Sequence, residues 1–401
     1  MRISTSNFKK IVVGIVLSIL AVANASPHIM LSGYQRTLYF ILLFVCLVGA
    51  FIKVMNGTKI QKEYLLRIII VLLMYLFPLI SENITYANRY LMLSGLLLYP
   101  MLYDATKDSK VPIVVVTVLT TWSVLVAIQT LIVCSQFSYA SRQADDSVLY
   151  QSMGVGGYMF IYAISLASVM IFSYIVNNIK NKKTKWWLLV WILYIVTIYK
   201  ANYMTAVMIS MLGAVLSILF KRIALRKRLF EILILIVTVF IFLGPILSIL
   251  EYAISFLIPE SGRIAQIFSS SDGIVQSLLT EFTADRLPVL EESFYSISKN
   301  PLIGMIFTDR DISFGQHSMF FDTFALWGIP IGCVYFFIIL KSFFEKNRIR
   351  KYEYTIPIVA AFIFLMIFNN LESTTSFVMC YVALFFIDKM SKKEEIGENE
   401  A

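Results

Sequence analysis

The feature that most constrains this chain is the recurrence of long apolar runs. They fall at 11–25, 37–55, 67–81, 88–103, 112–133, 153–176, 185–200, 202–220, 230–257, 318–341, 355–371 and 374–389. Each is near the length of helix, about 20 apolar residues, that crosses a bilayer core. Charged residues make up only 15% of the chain and the mean hydropathy is +0.78, whereas a soluble domain carries about a quarter charged residues. The expected fold is therefore an all-α polytopic membrane protein with about twelve transmembrane helices. It forms one membrane domain over 1–391, with a charged, disordered cytoplasmic tail at 392–401.

The first run follows a short basic lead, and Ala23-Asn24-Ala25 resembles a signal-peptidase site. With so many spans behind it, an uncleaved first helix is the reading taken. Cys46, Cys134, Cys333 and Cys380 lie in or beside apolar runs at irregular spacing, without a CxxC pair. They read as small apolar packing residues.

The net charge of +9 has a location. With the N-terminus inside and the spans alternating, every inside loop is basic. The outside then holds only Arg36, Arg89, Arg142, Lys200, Arg263, Arg286, Lys299 and Arg310. The charge thus marks cytoplasmic loops, with both termini cytoplasmic, and no nucleic-acid partner is expected. Arg36, Arg89 and Arg142 read as interfacial anchors.

Four of the outside cations fall in one long extracytoplasmic loop, about 258–317, between the ninth and tenth spans. Within it Leu287, Leu290, Phe294 and Ile297 form one helical stripe. Asp285 can cap its start, Pro288 is tolerated in the first turn, and Asn300-Pro301 ends it. The pattern predicts an amphipathic helix on the outer membrane face.

These residues suggest a chemistry. A lipid-diphosphate leaving group must be neutralised, and arginine pairs two phosphate oxygens at once. Arg286 and Arg263 fit that role by position, with Lys200 at another outer edge. His317, where the loop re-enters the membrane, can accept a proton from an attacking hydroxyl or donate to a phosphate. Asp322, just inside the next span, is a candidate for orienting the site. Glu372, with Asn369 and Asn370, is a candidate for binding sugar hydroxyls, as is Asp145-Asp146. His28 reads as a structural residue of a short outer loop. No metal and no cofactor are expected.

A resemblance joins this reading. Arg286, the amphipathic helix, Asn300-Pro301-Leu302-Ile303-Gly304, His317-Ser318-Met319-Phe320 and Gly328-Ile329-Pro330 together resemble the O-antigen ligase/polymerase family. The motif covers the stretch from Arg286 to Pro330; the span plan with its late outer loop extends the likeness over most of the chain. The family implies a metal-independent, GT-C-like membrane glycosyltransferase in which Arg286 faces the diphosphate and His317 the acceptor hydroxyl. One departure stands out: where members carry a Ser-Arg-Ser/Thr-Ala step at the eighth span, this chain reads Asn202-Tyr203-Met204-Thr205-Ala206, with Lys200 one turn earlier.

The resulting expectation is a polymerase of the bacterial inner membrane. It would join undecaprenyl-diphosphate-linked oligosaccharide repeats, one as donor and one as acceptor, into O-antigen or capsular polysaccharide, with a chain-length regulator as a further candidate partner. A ligase moving glycan to lipid A core or protein is the alternative within the class. A lipid-oligosaccharide flippase is the alternative outside it; such a transporter should show two similar halves and charges at mid-membrane, and neither is evident.

Overall fold

The structure, a computed structural model, describes residues 5–31, 34–55, 62–137, 140–141, 144–179, 184–221, 287–307, 317–344, 352–371 and 373–389. Among these there is no strand. The helices are α1 (Thr5–Ala25), α2 (Pro27–Leu31), α3 (Tyr34–Met55), α4 (Lys62–Ile80), α5 (Ile84–Leu93), α6 (Gly95–Thr106), α7 (Val111–Gln136) and α8 (Ala144–Ser152). They continue with α9 (Tyr158–Asn177), α10 (Thr184–Lys200), α11 (Met204–Lys221), α12 (Leu287–Lys299), α13 (Met319–Lys341), α14 (Tyr352–Phe368) and α15 (Ser373–Phe377). α15 runs on through a π-helical turn, Val378–Val382, into helical residues 383–389.

Among the described residues, five helices are long and apolar enough to cross a bilayer: α4, α7, α9, α11 and α13. Three shorter apolar segments, Ile11–Ala25, Arg36–Phe51 and Glu353–Phe368, join them. The chain is an α-helical membrane protein on this evidence. The expected span 230–257 lies outside the described residues. The expected span 88–103 is interrupted at Ser94, which joins α5 to α6.

Large apolar side chains on the rim point outward, among them Ile15, Phe44, Leu125, Leu189 and Phe337. Lipid is as apolar as they are, so burial there gives no driving force, and the bundle is held by close packing and polar pairs. α9 sits against α10, α11 and α14, and α11 approaches it through Gly213, where a Cβ would lie 2.3 Å from Val169 Cγ2. Ser168 donates to Ser210 across that seam at 3.0 Å. α1 packs on α7, with Leu17, Leu20 and Ala21 buried. Its far end is stitched in as well: the Thr374 hydroxyl donates to the Asn24 carbonyl at 2.6 Å. The first apolar run is thus an integral helix of the bundle.

The helices alternate in direction. At one end Lys341 of α13 pairs with Glu63 of α4. Tyr103 of α6 donates to Asp388 beyond α15 at 2.9 Å, and Lys221 of α11 donates to the Val176 carbonyl of α9. Here too Arg67, only 4% exposed, donates to Leu97 O at 3.3 Å, Ile338 O at 3.2 Å and Ser342 Oγ at 2.7 Å. At the other end, called here the Asp322 end, lie Arg89, Tyr158, Ser293, Asp322 and Asn370. The groups that the sequence assigns to one side of a membrane meet one another in space.

α13 is broken in its middle. Gly328 has φ 78 and ψ 165, a region open essentially to glycine. Leaving the helix at this point frees the Ile329 N–H, and within a bilayer such a donor must find a protein partner. It donates to the Pro301 carbonyl at 2.8 Å. Pro330 has no N–H to satisfy and opens the second half of the helix. Gly304, at φ 71, closes the Asn300–Gly304 turn against the same break; a Cβ on it would stand 2.2 Å from Leu326 O.

Candidate active site

α12 runs from Leu287 to Lys299, so Pro288 falls in its first turn and Asn300-Pro301 follows its end. Asp285 lies outside the described residues. Ser293 and Ser296 of this helix are buried, while Phe294 and Tyr295 are exposed. The small hydroxyl residues therefore face the bundle and the bulky rings face outward, the usual arrangement where the surroundings are lipid. Phe294 remains beside Phe321, with ring centroids 4.6 Å apart.

α13 starts with a capped turn. Ser318 has extended backbone, and its hydroxyl accepts from Phe321 N–H at 3.3 Å, the ordinary role of serine at a helix start. The same hydroxyl donates to Met366 O at 3.3 Å, and Met319 N–H donates to Asn369 O at 3.2 Å. The carbonyl end of α14 is thereby tied to the amide end of α13.

This tie fixes Asp322, one turn inside α13 and 2% exposed. A buried carboxylate must be satisfied. Ser293 donates to its Oδ1 at 2.9 Å, Arg89 Nη2 lies 3.5 Å from its Oδ2, and the first turn of a helix favours negative charge. Arg89 reaches it from α5, which an α4–α5 turn with Glu82 at φ 59 sends back along α4. Arg89 Nη2 also donates to Asn370 Oδ1. Asn370 is held in turn: Tyr158 OH donates to its carbonyl at 3.3 Å and to Asn369 Oδ1 at 3.4 Å. The ring of Tyr158 meets Tyr162 and Tyr203 at centroid distances of 4.7 and 6.3 Å. Directly below, Tyr90 donates to Thr323 at 3.4 Å and packs edge-on to Trp327 at 5.4 Å.

The result is a polar cluster of Arg89, Asp322, Asn370, Ser293 and Tyr158, drawn from four helices and a connecting loop. It combines a cation with free donors, a fixed carboxylate and an amide. Such a set can hold an oxyanion and sugar hydroxyls together.

Of the residues singled out in the sequence, Asp322 and Asn370 belong to this cluster. His317 is exposed and directly precedes the Ser318 cap, so it stands at the same end. Lys200 closes α10 beside the Ala201–Tyr203 turn, whose Tyr203 touches Tyr158. Arg286, Arg263 and Glu372 lie outside the described residues, as does Arg142. Arg89 was expected to be an interfacial anchor and is instead partner to a buried acid. Nothing local in the sequence signals this, because Asp322 lies 233 positions away.

No group of three or more His, Cys, Asp and Glu side chains comes together among the described residues. A cavity of about 1030 Å³ lies elsewhere, between α1, α3 and α7, with apolar walls and Ser109 and Lys110 at one margin; it contains none of the site residues. No family model, curated protein or solved structure matches the chain.

Proposed function

We propose that the chain is a membrane glycosyltransferase that polymerises lipid-diphosphate-linked oligosaccharide repeats at the outer face of a bacterial cytoplasmic membrane. The observation that supports the reading most is the meeting of its motif pieces. The Asn300–Gly304 turn seats in the Gly328-Ile329-Pro330 break, and this union holds α12 over the Arg89–Asp322 cluster, with His317 at the threshold. The resemblance in the sequence groups the same pieces.

In this reading a hydroxyl at the non-reducing end of one repeat attacks the anomeric carbon of the reducing-end sugar of another. The new C–O bond forms as the anomeric bond to the diphosphate oxygen breaks. Undecaprenyl diphosphate departs with the electron pair, and the hydroxyl proton passes to His317. Arg286, with Arg263 or Lys200, meets the growing negative charge, and stabilising that charge is the largest single contribution to the rate. Asp322 and Asn370 order the polar floor beneath. No nucleic acid takes part, and both termini are cytoplasmic.

The test is extension of undecaprenyl-diphosphate-linked repeats by the purified full chain in EDTA. Long products are expected, and Arg286→Ala should abolish them while the protein still inserts. Asp309 and Asp311 flank Arg310 in the same loop, outside the described residues, at a spacing suited to a divalent ion. A strict requirement for Mg²⁺ would therefore move charge neutralisation from arginine to metal and sink the metal-independent mechanism.

A further inference from the structure

We propose that Arg89 grips a phosphoryl oxyanion, and that Asp322 and Asn370 are the positioning residues that aim it. The assignment rests on the reading of the site given above and adds to it a cation that the loop arginines do not supply. Both contacts of the guanidinium run through one nitrogen, Nη2, to Asp322 Oδ2 and Asn370 Oδ1. The Nε–H and both Nη1–H groups have no protein partner among the described residues. The side chain is 20% exposed, against 2% for Asp322.

Arg67 shows the contrast. That arginine commits both Nη1 and Nη2 to carbonyls and a hydroxyl of two neighbouring segments and is buried at the opposite end. It ties helices together; Arg89 is tethered by one corner.

Charge points the same way. Asp322 is not dependent on Arg89 alone, since Ser293 and the start of α13 also stabilise it. The Arg89–Asp322 distance of 3.5 Å is beyond the usual 2.7–3.2 Å range of an N–H···O bond. The other contact is to a neutral amide, which holds the guanidinium without cancelling its charge. Both forked edges of a guanidinium include Nη2, so a group held this way meets an anion through single donors, Nε–H or Nη1–H, with charge-assisted hydrogen bonds to phosphate oxygens. The ligand chemistry is therefore a phosphate or diphosphate, borne by a lipid or free.

The experiment uses the full chain in nanodiscs and four probes: a polyprenyl diphosphate, the polyprenyl alcohol of equal length, inorganic pyrophosphate and phosphatidylglycerol. The proposal expects binding of the polyprenyl diphosphate and none of the alcohol. The double variant R89Q/D322N removes the charge pair without leaving a lone buried ion. It should melt near the parent yet bind the diphosphate about 10- to 100-fold more weakly, the loss expected for a hydrogen bond to a charged group. R89K keeps the charge without the Nε and Nη1 donors and should lose about 10-fold; it carries the test if the double variant does not fold. Competition by pyrophosphate assigns the grip to the phosphates alone, and competition by phosphatidylglycerol to headgroups in general. Parent-like affinity in folded R89Q/D322N, or in R89K where the double variant does not fold, would overturn the proposal. So would a parent that ignores every phosphate probe. Polymer formation on the same samples separates the two ideas. Arg89-dependent binding without any polymer sinks the polymerase and leaves the grip; undiminished polymer in the double variant does the reverse.

Discussion

Replacing Gly328 by Ala should destabilise the bundle far more than the loss of one glycine suggests, for two reasons that can be measured apart. The first is conformational. At φ 78 and ψ 165 a residue with a Cβ is strained by about 1–3 kcal/mol. The second is steric. The new Cβ would lie 2.4 Å from Leu302 O, 2.6 Å from Leu302 C and 3.0 Å from Gly304 N. All three are backbone atoms, so no side chain can rotate away, and overpacking of this kind adds about 1–3 kcal/mol. The sum is about 4 kcal/mol, much of the stability of an ordinary domain. Two other glycines serve as controls. Gly154 has φ +89 with nothing within 4 Å of its Cβ position, so G154A carries only the conformational part, about 1–2 kcal/mol. Gly49 has neither a positive φ nor a neighbour within 4 Å, and G49A should be neutral or gain up to about 1 kcal/mol in helix propensity. The assay is unfolding of purified protein by SDS in mixed micelles, followed by circular dichroism. G304A/G328A should cost less than the sum of its parts, because either change alone unseats the same turn. The interlock is wrong if G328A unfolds with the same midpoint as G154A.

Gly213→Ala should lose about 1–3 kcal/mol against Val169, and V169A in the same chain should recover most of it, read by the same unfolding assay. Arg67→Lys should not preserve stability, since a point charge cannot reach Leu97 O, Ile338 O and Ser342 Oγ together; a loss of about 2–4 kcal/mol is expected, and parent-like unfolding would count against the three-way tie. A cysteine at position 317 should react with an impermeant thiol reagent applied outside the cell, and labelling only from the cytoplasm would reverse the proposed orientation.

Much of the frame was legible because a bilayer imposes simple rules. Apolar runs gave helices, Pro288 and Asn300-Pro301 bounded α12, and alternating spans brought Glu63 to Lys341 and Tyr158 to Asn370. What stayed hidden depends on pairing over long separations. Arg89 looks like any interfacial arginine until Asp322 is folded beside it. The packed face of α12 was hidden for another reason. Of the stripe, Leu290 and Ile297 are half-buried and Phe294 is exposed, while the periodicity gives no sign that Ser293 between them is the residue that reaches Asp322. The π turn at Val378–Val382 has no proline or glycine of its own to announce it, and the break at Ser94 is marked only by Gly95 beside it.

The two glycine motifs, by contrast, were visible as separate words whose connection only three dimensions supply. Gly328 ends one half-helix and leaves the Ile329 N–H without an intrahelical acceptor. The Pro301 carbonyl, at the close of α12, is what accepts it. Because that bond is made through backbone, α12 and α13 are set relative to one another by main-chain geometry and not by rotamers. Ser293 and Asp322 lie on the two elements so joined, and Arg89 is held by the second of them. An oxyanion grip needs its donors fixed before the ligand arrives, and here the fixing traces back to one backbone amide that had to be satisfied.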